Sequence, residues 1–287
     1  MELLAKGQTI SFSDRPLLMG IVNVTPDSFF DGGRFLDPEA AVAHAWQLVE
    51  EGADLLDIGA ESTRPGSIPV EGTEERRRLI PVVTAVAKAV SVPISVDTSK
   101  AVVAKAAIDA GAVLVNDVTA LRGDPAMVDT IVVSGVGVVL MHMQGTPQTM
   151  QKAPKYHDVV EEVEDFLAER VRFALERGVA KNQIMLDPGI GFGKTLAHNL
   201  DLLAQLRTFT KLGFPLLVGP SRKGFIGELV EQSVQDRAWG TAGAIALAVE
   251  QGAHVLRVHD VAGMKDVVRV AAAISRRIPS PLREQHA

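Results

Sequence analysis

The chain has 287 residues, of which 47% are hydrophobic, 22% charged and only 5% aromatic. These values indicate a folded protein with a large aliphatic core and exclude extensive disorder. The net charge of −6 at pH 7 excludes an overall basic surface for nucleic acid or for an anionic membrane, so an anionic ligand needs a local cluster of Arg and Lys. The chain has no cysteine and no stretch resembling a signal peptide or a membrane span, which together predict a cytoplasmic protein.

Short apolar runs recur along the chain, each followed by a turn rich in Gly, Pro, Asp or Ser and then by a helical pattern. This alternation predicts repeated βα units and a parallel sheet. Eight strands are predicted, at residues 17–22, 55–59, 93–97, 112–117, 137–141, 183–187, 215–219 and 254–259. The clearest helices are predicted at 38–53, 99–112, 159–178 and 235–253, each with a glycine near its C-terminal end that indicates a helix stop.

Eight alternating units with no change of composition and no low-complexity linker predict one (β/α)₈ TIM barrel, of the α/β class. An open doubly wound sheet is the alternative. The domain is expected to span residues 1–287, with a short polar tail from about residue 279. In a TIM barrel the functional residues lie on loops that follow the C-terminal ends of the strands. Polar residues do follow the predicted strand ends, so the active site is expected at that face.

Five segments at these strand ends are too particular to be ordinary turns. They are MGIVNVTPDSFFDGG from residue 19, DIGAESTRPGS from 57, LDPGIGFGK from 186, GPSRKGFIG from 219 and RVHD from 257. Together and in this order they closely resemble the dihydropteroate synthase family, over about residues 17 to 260. The resemblance implies a transferase of folate synthesis. It would join 6-hydroxymethyl-7,8-dihydropterin diphosphate to 4-aminobenzoate, releasing pyrophosphate and 7,8-dihydropteroate.

A pterin ring presents a guanidine-like edge of donors and acceptors, which carboxylates and amides can match. By the resemblance, Asn116 and Asp187 contact this edge, Asp97 lies near the reduced ring and Lys223 adds a donor. The resemblance also makes Met141 and Phe192 apolar walls of the pterin site. The plainer alternative is that Asp97 caps a helix and Asp187 forms a turn. Their joint placement at strand ends favours the site.

The diphosphate needs cationic donors, and the resemblance assigns it to Arg257 and His259, with help from Thr63 and Arg64. Alternation along residues 254–259 directs Arg257 and His259 to the same side, which favours this role over a structural ion pair of Arg257 inside the barrel mouth. The expected cofactor is Mg²⁺, which takes oxygen ligands and bridges to phosphate. Asn23 is the family's candidate ligand, although it could equally open an Asn-x-Thr-Pro turn.

The aminobenzoate site is expected to form from loops that close over bound pterin, at residues 23–35 and 60–72. By the resemblance, its contacts are Phe30, Thr63, Pro65, Phe192, Lys223 and Gly224. At Gly224 relatives often carry serine, so the contact to the aminobenzoate carboxylate is a point of difference. In the first loop, Asp31 is the acid expected to act in the closed state. The expected catalytic residues are therefore Asp97, Lys223, Arg257, His259 and Asp31.

The expected chemistry is dissociative departure of pyrophosphate followed by attack of the arylamine, which needs no nucleophilic side chain. The histidines other than His259, among them His142 and His198, are expected on the surface or as caps. The expected partners are the small-molecule substrates and a second copy of the chain in a homodimer, with no nucleic acid or membrane. The alternatives are a pterin-dependent methyltransferase domain and a non-catalytic pterin-binding protein.

Overall fold

A computed structural model describes residues 1–12, 15–24, 30–31, 35–36 and 38–276 of the protein. At residues 30, 31, 35, 36, 38 and 276 it describes the backbone alone. The polar tail expected from about residue 279 lies outside the described residues. None of the helices in the described ranges is long and apolar enough to cross a membrane.

The eight apolar runs of the sequence form eight parallel strands, and four further short strands form two antiparallel pairs within the described residues. The strands are β1 (Glu2–Ala5), β2 (Gln8–Ser11), β3 (Leu17–Asn23), β4 (Phe30–Asp31), β5 (Phe35–Leu36), β6 (Leu55–Gly59), β7 (Ile94–Asp97), β8 (Leu114–Asp117), β9 (Gly137–Met141), β10 (Ile184–Asp187), β11 (Leu217–Val218) and β12 (Val255–Val258). The parallel strands follow the order β10-β9-β8-β7-β6-β3-β12-β11. A parallel bridge between Leu186 and Leu216 joins the two edges of this sheet. The predicted TIM barrel is therefore confirmed, and the open sheet is excluded.

At least one helix follows each barrel strand and covers its outer face. The helices are α1 (Pro38–Glu51), α2 (Gly72–Ala89), α3 (Ala101–Ala110), α4 (Met127–Ser134), α5 (Val159–Glu176), α6 (Leu196–Ala204), α7 (Arg207–Thr210), α8 (Gly224–Val230), α9 (Ala238–Glu250) and α10 (Val261–Arg276). The four helices predicted most clearly correspond to α1, α3, α5 and α9. Gly111, with φ 123°, caps α3 in a conformation that favours glycine. The glycine stop predicted there is confirmed.

The N-terminal hairpin of β1 and β2 closes the bottom of the barrel. Its Leu3, Ala5, Ile10 and Phe12 pack against inward-facing residues at the start of the barrel strands, such as Leu55. This hairpin was not predicted from the sequence, because its strands have only four residues each, and their sequences, ELLA and QTIS, do not alternate clearly between polar and apolar residues. A second and larger core lies between the outer faces of the strands and the helices.

The barrel interior changes from apolar to polar towards the C-terminal ends of the strands. Side chains along a strand alternate between the two faces of the sheet, so a residue two positions after an inward Leu also points inward. Buried polar side chains occupy these upper positions: Asp57, Ser95, Asp97, Asn116 and Asp187. Burying so many polar groups in one layer is costly unless they serve a ligand or one another. This layer is therefore the candidate site.

Candidate active site

Strand ends place the expected pterin residues around one opening. Asp97 ends β7, Asp187 ends β10, and Asn116 lies one residue before the end of β8. In the parallel pairing of β7 and β8, Asp97 is the register partner of Asn116. All three side chains are buried. The structure thus brings these three predicted residues together at the C-terminal face of the barrel.

Arg257 of β12 is held by two carboxylates from across the barrel. Its Nε lies 2.6 Å from Asp57 Oδ2 and its Nη2 lies 3.2 Å from Asp97 Oδ2. Asn116 Nδ2 donates to the same Asp57 oxygen at 3.1 Å. The structural ion pair considered as the alternative for Arg257 is therefore present. Asp57, which is fully buried, was missed by the sequence analysis, although a single charge inside an otherwise apolar parallel strand is an unusual feature.

The Asp57 contact determines which way the Asn116 amide faces. A carboxylate can only accept, so the amide nitrogen must point to Asp57 and the amide oxygen away from it. Asn116 Oδ1 is buried and has no hydrogen-bond partner among the described residues. Asp57 Oδ1 and Ser95 Oγ are also buried without such partners. An acceptor left unpaired in a buried layer is a feature of a binding site rather than of a stable core.

Burial in this layer perturbs the ionisation of Asp97. Loss of solvent raises the pKa of its carboxyl to about 7, and the negative charge of Asp57 acts in the same direction. The positive charge of Arg257 opposes both effects. Asp97 does not cap α3, because the residue preceding that helix is Lys100. The helix-cap alternative for Asp97 is therefore wrong.

Asp187 has two neighbours that bear on its role. Its Oδ1 accepts a hydrogen bond from the Gly189 backbone N–H at 2.7 Å, so the predicted turn is formed. Burial raises the pKa of its carboxyl to about 6, although Gly189 and Lys223 favour the charged form. The turn role and a place in the polar layer therefore coexist in this residue.

Lys223 lies at the junction between polar and apolar walls. Its Nζ is 3.9 Å from the centre of the Phe192 ring, in cation–π geometry. Removal of the ammonium from solvent lowers its pKa to about 8, and the positive charge of Arg257 adds to this effect. Phe192 belongs to a buried cluster with Met141, Val118, Met143 and Met150. The two residues predicted as apolar walls, Met141 and Phe192, are thus brought together.

A buried lysine and histidine support the wall from behind. Lys194 Nζ lies 2.9 Å from His142 Nδ1 and donates to the Phe192 carbonyl at 3.0 Å. Burial lowers the pKa of Lys194 to about 7 and that of His142 to about 2. The expected surface or capping role of His142 is wrong, whereas His198 does cap α6 together with Thr195. The LDPGIGFGK segment contained Lys194, but its sequence position did not reveal its burial.

His259 is oriented by Ser221. The Ser221 hydroxyl accepts from the His259 backbone N–H at 3.2 Å and lies 3.0 Å from His259 Nδ1. Burial lowers the pKa of His259 to about 3, with Arg257 and Arg222 contributing, so the imidazole is neutral at pH 7. Arg222 itself forms a bidentate pair with Asp260. His259 can therefore donate a hydrogen bond to an anion but brings no positive charge.

The second loop, residues 60–71, carries three of the predicted residues. Thr63 is half-buried, whereas Arg64 and Pro65 are exposed. The charge of Arg64 is among those that lower the pKa of Lys223, which places this loop near the barrel mouth. The Gly66 backbone N–H donates to the Pro147 carbonyl at 2.9 Å, so the loop touches the segment that follows β9.

The remaining predicted residues are placed only in part. Asn23 ends β3, is half-buried and is the register partner of Gly59. Gly224 begins α8, and a Cβ added there would meet no atom within 4 Å. The side chains of Phe30 and Asp31 lie outside the described residues. Among the described residues, no three His, Asp or Glu side chains are grouped so that they could hold a metal ion by themselves.

Acceptors on β7, β8 and β10 face donors from β12 and from the start of α8, which suits a polar heterocycle that carries an anionic group. Residues 19–259 match the family model described as pterin binding enzyme. The dihydropteroate synthase of Escherichia coli (strain K12) is 45% identical over 273 residues, covering 95% of this chain and 96% of the relative.

Two solved structures show the same fold over nearly the whole chain. Xanthomonas albilineans dihydropteroate synthase with 4-aminobenzoic acid has a TM-score of 0.90 at 49% identity, covering 97% of this chain and 99% of that one. The Yersinia pestis dihydropteroate synthase in a sulfonamide drug complex has a TM-score of 0.91 at 43% identity, covering 96% and 100%. The chain belongs to the dihydropteroate synthase family of pterin-binding enzymes.

Proposed function

We propose that this chain performs the dihydropteroate synthase reaction at the mouth of its barrel, within a single domain of residues 1–287. In that reaction 6-hydroxymethyl-7,8-dihydropterin diphosphate and 4-aminobenzoate give 7,8-dihydropteroate and pyrophosphate. The observation that carries the proposal is the convergence of polar side chains at the C-terminal face of the barrel: the buried Asp97, Asn116 and Asp187 of β7, β8 and β10, together with Arg257 of β12 and Lys223, which precedes α8.

The pterin edge is assigned to the acceptors of the layer. Asn116 Oδ1 lacks a partner among the described residues, and a ligand N–H would remove the cost of burying it alone. Asp187 supplies a second acceptor from β10, and Asp97 lies near the reduced ring. Met141 and Phe192 flank the ring with apolar surface. This combination of few polar groups and an apolar wall is typical of sites for heterocyclic ligands.

The diphosphate is assigned to Arg257, His259, Thr63 and Arg64. Arg257 is already compensated by Asp57 and Asp97, so it acts on an anion mainly through directed N–H groups. The Ser221 hydroxyl accepts a backbone N–H and can donate its own proton to His259 Nδ1. That contact favours the tautomer with the proton on Nε2, which can donate to a phosphate oxygen.

The aminobenzoate is assigned to the outer part of the mouth. The residues assigned to it are Phe192 and Lys223, which it shares with the pterin site, Thr63 and Pro65 of the second loop, and Phe30 of the first loop. Gly224 is the first residue of α8, where a backbone N–H has no acceptor within its own helix and can bind the carboxylate. A sulfonamide that mimics aminobenzoate would occupy the same place, as the drug complex of the Yersinia pestis relative suggests.

The chemistry follows from positions and charges. The C–O bond breaks with its electron pair moving to the departing pyrophosphate, and the cation left on the pterin methylene is delocalised into the electron-rich ring. The Asp97 carboxylate stabilises that positive charge, while Arg257 and His259 stabilise the leaving anion. The arylamine nitrogen then forms the new C–N bond and loses one proton. Binding both substrates in one orientation supplies much of the rate enhancement.

The oxygen donor at Asn23 suits Mg²⁺ only as a companion of the diphosphate. A carboxamide is a neutral ligand, and Mg²⁺ usually keeps several waters and bridges to phosphate. When bound with the substrate, the ion would neutralise charge on the phosphate oxygens. We expect titration calorimetry to show little binding of Mg²⁺ alone and clear binding of Mg²⁺ in the presence of pyrophosphate. Strong binding of Mg²⁺ alone would contradict this assignment.

A homodimer is proposed through the outer faces of α9 and α10, which pack side by side. Trp239 and Leu247 on α9 are 87% and 61% exposed, and Val270 and Ile274 on α10 are 60% and 72% exposed. Trp239 and Leu247 are eight residues apart and therefore share a helix face. Large apolar side chains exposed together usually mark a contact with another protein surface.

The direct test is a pyrophosphate-release assay with the dihydropterin diphosphate, with and without 4-aminobenzoate and Mg²⁺. The proposal expects pyrophosphate release and dihydropteroate formation to rise together when all components are present. If no dihydropteroate forms in the complete mixture, the proposed function is wrong. Pterin binding without turnover would instead favour the non-catalytic alternative.

A further inference from the structure

Lys100 lies between two carboxylates that belong to opposite ends of the second loop. Its Nζ is 2.7 Å from Glu61 Oε2 and 2.6 Å from Glu75 Oε2. Glu61 is the second residue after β6, where the loop begins, and Glu75 lies in the first turn of α2, just after the loop ends. One ammonium group therefore holds the two ends of the segment that carries Thr63 and Pro65.

Glu61 also closes the loop directly. The Val70 backbone N–H donates to Glu61 Oε1 at 2.7 Å, so the two oxygens of one carboxylate bind Val70 and Lys100. Between these anchors, residues 64–66 are exposed. Within this stretch the Gly66 backbone N–H donates to the Pro147 carbonyl at 2.9 Å, and the Ser67 N–H donates to the Arg64 carbonyl at 3.1 Å. An exposed stretch with so few contacts is easily displaced, so its position depends on these two bonds together with the anchors at its ends.

The contact with Glu75 is buried and therefore energetically important. The Glu75 side chain is fully buried, and its Oε1 has no hydrogen-bond partner in the described part of the chain. Burial raises the pKa of Glu75, while the hydrogen bond from Lys100 favours the charged form. Removing Lys100, which is a quarter exposed, would leave the buried Glu75 carboxylate without its cation, which is more costly than losing a fully exposed pair.

The backbone of Lys100 is also held in place, by the turn that joins Asp97 to α3. Lys100 follows Asp97 by three residues, and its backbone N–H bonds to Thr98 Oγ1 at 3.3 Å. It immediately precedes α3, whose first backbone N–H bonds to Asp124 Oδ2 at 2.8 Å. The turn after Asp97 is thus a rigid support for the Lys100 side chain. Through Lys100 this support is connected to the loop that follows β6.

We infer that Lys100 is a positioning residue for 4-aminobenzoate, which acts through Glu61 and Glu75 by holding Thr63 and Pro65 in register with Asp97. The inference rests on the proposed function, because the aminobenzoate contacts of the second loop are part of it. Lys100 is not a catalytic residue, since it acts through the loop. Its loss therefore affects the aminobenzoate site far more than the binding of the pterin diphosphate.

The test compares Lys100→Met, Lys100→Arg and the control Lys105→Met in the full-length protein. Lys105 lies on the helix that follows Lys100 and pairs with Asp109 at 2.8 Å in an exposed ion pair. We expect Lys100→Met to raise the KM for 4-aminobenzoate about tenfold, because small displacements of positioning groups are costly. The KM for the pterin diphosphate should stay within about twofold, as should both constants of Lys105→Met. Lys100→Arg keeps the cation and should restore most of the aminobenzoate affinity.

A second measurement does not depend on turnover. Hydrogen exchange of backbone amides in residues 62–70 should be faster in ligand-free Lys100→Met than in the wild type, and unchanged in Lys105→Met. If Lys100→Met does not fold because the buried Glu75 is left unpaired, the double variant Lys100→Met/Glu75→Gln removes both charges of the pair. That variant still lacks the contact with Glu61, so it should show the same KM and exchange effects.

Two results would overturn the inference. One is an unchanged KM for aminobenzoate in a folded Lys100 variant, and the other is an equal rise in the KM of both substrates. A wild-type protein that forms no dihydropteroate would instead contradict the proposed function. In that case unchanged exchange in the Lys100 variant would still refute the loop anchor, and faster exchange would support it.

Discussion

Asp57 organises the polar layer, although the sequence assigned it no role. One of its oxygens accepts from both Arg257 and Asn116, and its side chain is fully buried. It therefore sets the orientation of a cation and of an amide at the same time. Loss of this carboxylate therefore weakens two contacts at once, which costs more than the loss of either contact alone.

We predict that Asp57→Asn weakens pterin binding about tenfold to hundredfold, equivalent to about 1.5 to 3 kcal/mol. The neutral amide cannot balance Arg257, and it no longer requires the Asn116 nitrogen to face it. Fluorescence titration with a pterin would measure the change, with the exposed Asp109→Asn as the control. Unaltered pterin affinity in a folded Asp57→Asn protein would refute this role for Asp57.

We predict a bell-shaped pH dependence of kcat/KM for the pterin diphosphate. The proposed role of Asp97 needs its carboxylate, whose pKa is about 7, so activity should fall as pH drops below this value. Lys223 is assigned as a donor to the pterin, and its ammonium is the stronger donor. Because its pKa is about 8, activity should fall as pH rises above that value. The charged groups that face these two residues are Asp57, Arg257, Glu75, Asp187 and Arg64.

Two variants separate the limbs of this profile. Lys223→Arg carries a cation that does not deprotonate, so its alkaline limb should disappear even if its activity is lower. Asp57→Asn removes a negative charge that raises the pKa of Asp97, so its acidic limb should move to lower pH. Identical limbs in wild type and both variants would show that other groups control the profile.

At the level of single elements, the glycine-rich turn after β10 depends on backbone shape. Gly189 has φ +70°, and a Cβ there would collide with the His142 carbonyl oxygen. This turn also carries Phe192 and Lys194, which form the apolar wall and its support. The sequence predicted the turn, but the close approach to the β9 strand end is visible only in the structure.

We predict that Gly189→Ala destabilises the protein by about 2 to 4 kcal/mol, from left-handed backbone strain together with the collision. The matched control is Gly263→Ala in α10, where an added Cβ meets no atom within 4 Å. That change should stabilise the helix by about 0.5 to 1 kcal/mol. Urea unfolding would measure both free energies. Equal stability of the two variants would show that the turn tolerates a side chain.

For the whole molecule, we predict a dimer that Leu247→Lys combined with Val270→Lys converts to a monomer. Lysine side chains in an apolar interface leave buried charges without partners. Light scattering coupled to size exclusion gives the mass, to be compared with 30.6 kDa for one chain. The control Val133→Lys changes an 88% exposed residue of α4 and should leave the dimer intact. A monomeric wild type would refute the interface.

Much of the fold was predictable because each strand and helix can be recognised from a short segment of sequence. The alternation of strand and helix patterns located all eight barrel strands. The same reasoning placed Asp97, Asn116 and Asp187 at strand ends. The N-terminal hairpin was not predicted, since two short strands carry too little pattern to distinguish them from turns.

The sequence alone was sufficient to predict the fold class, the strand ends and the family, because hydrophobic periodicity and short motifs are properties of local sequence. The contacts that give the site its chemistry were not accessible in this way. Arg257 and Asp57 are 200 positions apart, and Arg257 and Asp97 are 160 apart. Their pairing, the burial of His142 and the raised pKa of Asp97 arise only when barrel closure brings distant strands together and removes water, so no local pattern encodes them.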